Sequence, residues 1–557
     1  MKSPHFADSK VMKTLVILLA DFRSINIFDK CFNGKSSFDL SFEWANRFGD
    51  EFAVLASRDD RDFVSKIPEE NVVLLEDFTT HSLLAAISHL ADEKKMDVIL
   101  YSYADTPFLN DMLTKSILET HTTYGAEYTF AEGYPYGFAP EALDSGAARI
   151  LSQLASTTQS EEGRKRISRT SIFDLLKTDI NSFEVETVLS DFDARPFRMK
   201  FDCGCHAEKE ACVELFKMMQ SSKSPADLAN ASADDISSDL SKNVDNLAKK
   251  ASENPQILKT VPFYYDIQIS RKSSADCLYI PKKMQSITAN EYMKKEDFLS
   301  LLEKIETLSD CAVINLSGFG EPLLHPDFEE FVDAVFKHEN FHLLIETDGL
   351  NVTESLCKNI KSIVDNAKER RGVTEYFDKI LWIVKIDAVS DEIYRKIHRI
   401  DGNSSDSRHF SRAVEAVSTL QKYFPYSVYP QFMRMSQNEV ELETFYRTWS
   451  NKSSASNGNV IIQKYSSFCK TLPDYKVADL SPLERNPCWH IRRDITVFVN
   501  GDVPLCRECL DDCVCGNAFT DDLFEIWHKF DGELKNHINT IYCEKCGKCD
   551  EYYTFNF

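Results

Sequence analysis

Eight of the sixteen cysteines in this chain crowd into its final stretch: Cys488, Cys506, Cys509, Cys513, Cys515, Cys543, Cys546 and Cys549. Their spacing is that of metal ligands. Cys543, Cys546 and Cys549 read C-x2-C-x2-C, and Cys506 and Cys509 read C-x2-C. The run from Cys488 through Gly501 to Cys506 reads C-x12-G-x4-C. Short C-x2-C loops bring two sulfurs to one centre, and thiolates bind Zn²⁺ or iron–sulfur clusters strongly. The competing reading is a disulfide-rich tail. It sits badly with a chain that shows no export signal, because disulfides rarely persist in the cytosol.

Other residues could do chemistry too. Gly318 and Gly320 follow an apolar strand and allow close backbone approach to a ligand, while Glu321 offers an acceptor at the strand's carboxyl end. The plainer reading there is a turn in which Pro322 ends the strand. Cys203, Cys205 and Cys212, with His206, could hold a metal, although C-x-C geometry is less favourable than C-x2-C. Asp105 stands at a strand end before Pro107, where a carboxylate suits a hard ion or simply starts a turn.

The elements that must position these groups are legible as alternating runs. With 557 residues the chain is too long for one core. A hydrophobic fraction of 43% marks it as globular. The net charge of -24 argues against nucleic acid or an anionic membrane as the main partner. No apolar run approaches the roughly 20 residues that cross a bilayer. TLVILLA at 14–20 reads as a buried first strand rather than a signal peptide, so the cytoplasm is the expected compartment. Residues 12–218 alternate strand-like and helix-like runs, an α/β pattern. Residues 219–260 read as a polar linker with some helix. Residues 261–480 give six strand-like runs separated by helical ones, which predicts a parallel sheet, open or partly closed into a barrel. Residues 481–557 form the cysteine-rich block.

C-x12-G-x4-C, followed by CGNAFTDDLFEIWHKF at 515–530 and CEKCGKC at 543–549, resembles the SPASM domain that follows the catalytic barrel of many radical S-adenosylmethionine (SAM) enzymes. The resemblance implies one or two auxiliary 4Fe-4S clusters held by the eight cysteines. LSGFGEPLLHPDF at 316–328 resembles the glycine–glutamate motif of that family, which implies a SAM-like pocket at Gly318, Gly320 and Glu321, with Asp387 ending the fourth strand at the same mouth. The family's C-x3-C-x2-C loop is lost. The aligned positions in ISRKSSADCLYIP are Ser273, Cys277 and Ile280, and one cysteine cannot anchor a four-iron cluster. Reductive SAM cleavage and firm SAM binding are therefore not expected. The combination resembles the spiro-SPASM proteins of spirochaetes.

The N-terminal block, through LLADFRSINIFDKCFNGKSSFDLSFEWANRF at 18–48 and YADTPFLN at 103–110, resembles cytidylyltransferase-like nucleotidyltransferases. That implies phosphate contacts from Arg23 and Lys30 and a Mg²⁺ position at Asp105. The loop lacks the glycines that let backbone amides wrap phosphates, which puts transfer and Mg²⁺ in doubt. Three functions stay open: an iron–sulfur protein without ordinary SAM cleavage, a working enzyme of either kind, and a zinc-stabilised scaffold. A peptide, protein or small molecule is the kind of partner such a chain would meet.

Overall fold

A computed structural model describes residues 12–20, 27–57, 67, 71–156, 167–221, 244–370, 380–400 and 408–554. The chain divides into two compact units, Met1–Thr260 and Val261–Phe557.

The first unit is built on seven strands: β1 (Thr14–Ala20), β2 (Glu51–Ser57), β3 (Val72–Leu75), β4 (Val98–Tyr103), β5 (Tyr128–Glu132), β6 (Glu141–Asp144) and β7 (Val185–Leu189). Their order is β3-β2-β1-β4-β6-β5-β7, and β6 alone runs antiparallel to its neighbours. Side chains alternate across a strand, so β1 feeds two cores. Leu15, Ile17 and Leu19 pack with Leu84, Ile87 and Leu151 on one face, and Val16, Leu18 and Ala20 with Trp44, Val54 and Leu100 on the other. An all-apolar strand is what a sheet covered on both faces requires. Within 219–260, the helices Val244–Ser252 and Pro255–Leu258 bury Ala248, Ala251 and Ile257 in this unit.

The second unit is a curled parallel half-barrel. Its strands are β8 (Tyr264–Ile267), β9 (Ala312–Asn315), β10 (Phe341–Thr347), β11 (Ile380–Lys385), β12 (Val428–Arg434), β13 (Ile461–Lys464) and β14 (Asp494–Val497), in the order β13-β12-β11-β10-β9-β8-β14. Helices such as Lys295–Leu308 and Phe328–Lys337 make the crossovers that parallel pairing demands. The first six strands coincide with the six runs read from the sequence. The seventh, β14, comes from the cysteine-rich block: Ile495 and Val497 are fully buried and pair beside Tyr265 and Ile267 of β8. After it the chain turns at Gly501, with φ +89°, into the antiparallel pair β15 (Asp502–Pro504) and β16 (Val514–Asn517). A Cβ at Gly501 would lie 2.6 Å from Asn517 Oδ1, so the glycine of C-x12-G-x4-C is fixed by packing as well as by φ.

Candidate metal centre

All sixteen cysteines are free thiols, and those of the tail converge. Cys506 lies two residues past β15, and the turn that follows sets its Sγ 3.8 Å from that of Cys509. Cys543 caps the short helix Glu544–Lys548, its sulfur accepting from the Cys546 amide at 3.4 Å. The Glu551 amide donates to Cys549 Sγ at 3.3 Å. The thiol of Cys509 is hydrogen-bonded to Cys506 and Cys546, and its partner Cys513 lies on the same turn. Cys488 is close enough to Cys506 and Cys546 to feel their charge, and Cys515 that of Cys513 and Cys506. The structure thus links all eight predicted ligands into one neighbourhood.

A ninth sulfur, Cys469, was not visible as a ligand from its spacing. It hydrogen-bonds Cys549. Phe468, Cys469 and Lys470 all carry positive φ, at 49°, 53° and 68°. Three left-handed residues in a row without glycine are strained, and such strain persists where surrounding structure imposes it. Nothing in its local sequence marked Cys469, which lies nineteen positions before Cys488.

Packed thiols cannot all ionise in the absence of a cation. Burial pushes Cys488 and Cys543 each up to about 12. Cys509 is driven well upward by its bonds to Cys506 and Cys546, while Cys546 is pulled down to about 5, first by Cys509 and, against burial, by His537. A positively charged centre reverses this balance, since bound metal deprotonates its thiols. The all-sulfur donor set, with backbone amides aimed at two of the sulfurs, has the chemistry of an iron–sulfur or zinc site. Glu533, His537 and Cys546 bring ligand atoms within 4.8 Å of one another. The Cys488 amide donates to His537 Nδ1 at 3.3 Å, which leaves the proton on Nε2, facing Glu533 at 3.3 Å. His537 Nε2 thus faces Glu533 and Cys546 without a hydrogen-bond partner of its own.

The barrel loop is arranged differently. Ser273 Oγ donates to the Ala275 carbonyl at 2.7 Å, and Ile280 lies in an apolar cluster with Phe319, Phe468 and Phe498. Cys277 Sγ sits 3.1 Å from His398 Nδ1. The glycines of GFGEP are required by the neighbouring chain. A Cβ on Gly318 would lie 2.6 Å from Gln268 Cβ, and one on Gly320 would lie 1.9 Å from the Ser270 carbonyl oxygen. Glu321 accepts from Thr347 Oγ1 at 2.8 Å, Leu323 N at 3.1 Å and Asp348 N at 2.8 Å. Burial, and then Asp348, push its carboxyl up to about 8. Asp387, with φ +62°, accepts from Met433 N at 2.7 Å and Tyr279 OH at 2.8 Å.

Arg507, between the two cysteines of the tail's first C-x2-C, reaches this mouth. Its guanidinium donates to the Gly318 carbonyl at 3.2 Å, stacks on Phe319 at 4.9 Å and stands 3.6 Å from Asp266. Burial opposes the charge, but Asp266 and Glu346 hold Arg507 well above the ordinary arginine value. Its role could not be read from the sequence, because it depends on a contact between segments about two hundred residues apart. A cavity of about 20 Å³, water-sized, opens beside it between Asp266, His490, Cys506 and Glu508.

In the first unit, Arg23 lies outside the described residues, and Lys30 is exposed. Asp105, just past β4, is taken by Arg169, which donates to its two oxygens at 3.2 and 2.6 Å. The same guanidinium reaches Tyr136 OH at 2.6 Å and Asp202 at 3.3 Å, and stacks between Tyr103 and Tyr136 at 4.6 and 4.8 Å. Burial raises Asp105 and takes Asp202 up to about 8, with Arg169 pulling both back down. A fixed cation already fills the place expected for Mg²⁺, so the residues as arranged do not fit that ion. Of the Cys203–Cys212 cluster, Cys212 donates to the Asp202 carbonyl at 3.3 Å and His206 pairs with Glu210 at 3.1 Å.

The fold and sites define a two-unit α/β chain with a half-barrel carrying a cysteine-lined tail. The chain belongs to one family with an uncharacterized protein of Treponema pallidum (strain Nichols), to which it is 37% identical over 392 residues, 98% of that protein and 69% of this chain. A second uncharacterized protein of the same organism is 27% identical over 92 residues, 42% of its length. No family model matches. Among solved structures, the chain is similar to BtrN in complex with AdoMet and 2-DOIA (16% identity, 52% of this chain and 94% of that one, TM-score 0.32). It is similar to Streptococcus suis SuiB bound to precursor peptide SuiA (13%, 65% and 88%, TM-score 0.38). It is also similar to a cytidylyltransferase from Leptospira borgpetersenii (14%, 42% and 97%, TM-score 0.31). No described helix is long and apolar enough to cross a membrane.

Proposed function

We propose that this chain is an iron–sulfur protein of the radical-SAM/SPASM type, of the spiro-SPASM kind, whose tail binds one or two 4Fe-4S clusters and whose barrel no longer cleaves SAM reductively. The observation that carries the reading is the contrast in sulfur supply. Nine thiols gather around the tail, while the barrel loop offers Cys277 alone, already paired with His398. When bound, such clusters supply one-electron chemistry or structural cross-linking. This chain's own residues would hold them by thiolate, with the Cys546 and Glu551 amides donating to sulfurs and His537 standing beside Cys546. At the barrel mouth, Arg507 and the bonds on Glu321 occupy groups that a SAM amino acid would need, so SAM should bind weakly. The first unit serves as a non-catalytic domain, its acidic strand end neutralised by Arg169. SuiB, one structural neighbour, is bound to a precursor peptide, and a peptide is the partner class this reading favours.

Anaerobic reconstitution tests it. The expected result is iron with matching labile sulfide, and no reductant-dependent 5′-deoxyadenosine above a no-protein control. Stoichiometric zinc without iron uptake would favour the scaffold reading, and deoxyadenosine production would restore the enzyme.

A further inference from the structure

The loop that has lost its cluster ligands carries another constellation. Cys277 Sγ lies 3.1 Å from His398 Nδ1, and His398 Nε2 lies 3.4 Å from Asp387 Oδ2. The juxtaposition is built from three separate elements. Cys277 sits on the loop after β8, His398 follows the helix Asp391–Ile397, and Asp387 follows β11. The Leu278 amide bonds the Ile397 carbonyl at 2.9 Å, which ties loop to helix beside the pair. Asp387 is held in a left-handed conformation, with its carbonyl bound by Asn438 Nδ2 at 2.8 Å and its carboxylate by Tyr279 and the Met433 amide. Strain maintained by so many bonds is characteristic of functional positions. Burial pushes the His398 ring down, yet Cys277 and Asp387 beside it raise it to about 10.

We propose that Cys277, His398 and Asp387 form a thiolate–imidazolium–carboxylate relay in which Cys277 is a reactive nucleophile toward a hydroperoxide. Cys277 is 6% exposed, under Ile280, Phe319, Met435 and Phe468. A co-reactant reaching it must therefore be nearly water-sized, and hydrogen peroxide is the electrophile of that size. The thiolate sulfur attacks one peroxide oxygen, an S–O bond forms and the O–O bond breaks. Sulfur loses two electrons to the peroxide. The departing hydroxide takes the imidazolium proton from His398 and leaves as water, so Cys277 ends as a sulfenic acid. Asp387 is a positioning residue that orients the ring. The relay is independent of whether the tail holds iron.

The test uses the full-length protein, purified without oxygen and exposed while folded to substoichiometric hydrogen peroxide. Catalase then removes the peroxide, the chain is denatured in the presence of dimedone, and peptide mass spectrometry reads Cys277. The expected rate is at least about tenfold above that of glutathione, falling about tenfold or more in His398→Gln, the scale of a proton-transfer partner. Asp387→Asn should slow it and Asp387→Glu partly restore it, with circular dichroism reporting the fold of each variant. Sulfenic acid at Cys277 forming only when peroxide meets the already unfolded chain would overturn the relay, and that arm needs no variant. So would His398→Gln reacting at the wild-type rate, or Asp387→Asn matching wild type.

Discussion

The tail and the two strand-end sites handle buried charge in opposite ways. At the ends of β4 and β8, carboxylates that could face a ligand are already met by the chain's own guanidinium groups, Arg169 at Asp105 and Asp202, Arg507 at Asp266. In the tail Lys529 lies near Cys515 and Lys545 near Cys469 and Cys509, but Lys529 donates to the Cys515 carbonyl and Lys545 to Asp512 rather than to a sulfur. Thiols crowd against thiols, several pushed far up and one pulled down, a state that an external cation relieves. The α/β units thus meet their strand-end carboxylates from within, while the tail gathers sulfur donors.

The comparison breaks most visibly at the sulfurs. Replacing Cys509 and Cys546 together by Ala should remove iron and lower the melting temperature by about 10 °C or more, because binding energy at a structural metal site is folding energy. Retained iron and an unchanged melting temperature would mean that these sulfurs are not ligands. Next comes Arg507→Ala, which strands Asp266 among buried polar groups. It should cost about 3 kcal/mol in denaturant unfolding, with Asp266→Asn in the same chain recovering part of it. Gly320→Ala should cost about 2 kcal/mol, since the new methyl meets the Ser270 carbonyl, backbone that cannot swing aside. Wild-type stability above that of the alanine variant by less than about 0.5 kcal/mol would show that the loop is free to move.

Arg169→Ala sharpens the other side. Removing the guanidinium frees Asp105 and Asp202, and Mn²⁺ titration should show binding that the parent lacks. Identical titrations of the two proteins would mean that Arg169 is not what excludes the ion. The smallest effect concerns pH. Glu321 is raised to about 8 in the fold, so the folded state keeps its proton where the unfolded chain loses it. Its contribution to stability is full below the ordinary carboxyl range and declines as pH rises toward 8. Glu321→Gln should make that decline shallower across pH 5–8, and an unaltered slope would remove Glu321 as its source.

Much of this was written in local sequence. Six of the seven strands of the half-barrel appear as apolar runs because a parallel sheet buries both faces, and the closely spaced cysteines of Cys488–Cys549 lie near one another in the structure. What was not legible depends on distance through space. β14 was masked by the cysteines around it, although Ile495, Thr496 and Val497 are good strand formers. Cys469 reaches Cys549 only because three left-handed residues bend the chain toward it. Arg507 and Arg169 look like ordinary charges until folding sets them against carboxylates. Cys277 reads in the sequence only as the one cysteine left in the lost loop, because His398, which stands beside it, comes over a hundred residues later.

Iron and sulfide per chain, measured on wild type, Cys277→Ala and Cys546→Ala after the same anaerobic reconstitution, test the division between tail and barrel most directly. Wild type and Cys277→Ala should hold the same amount, about four or eight irons with equal sulfide, and Cys546→Ala should hold less. Loss of about four irons from Cys277→Ala, with Cys546→Ala unchanged, would place the cluster in the barrel and contradict the account.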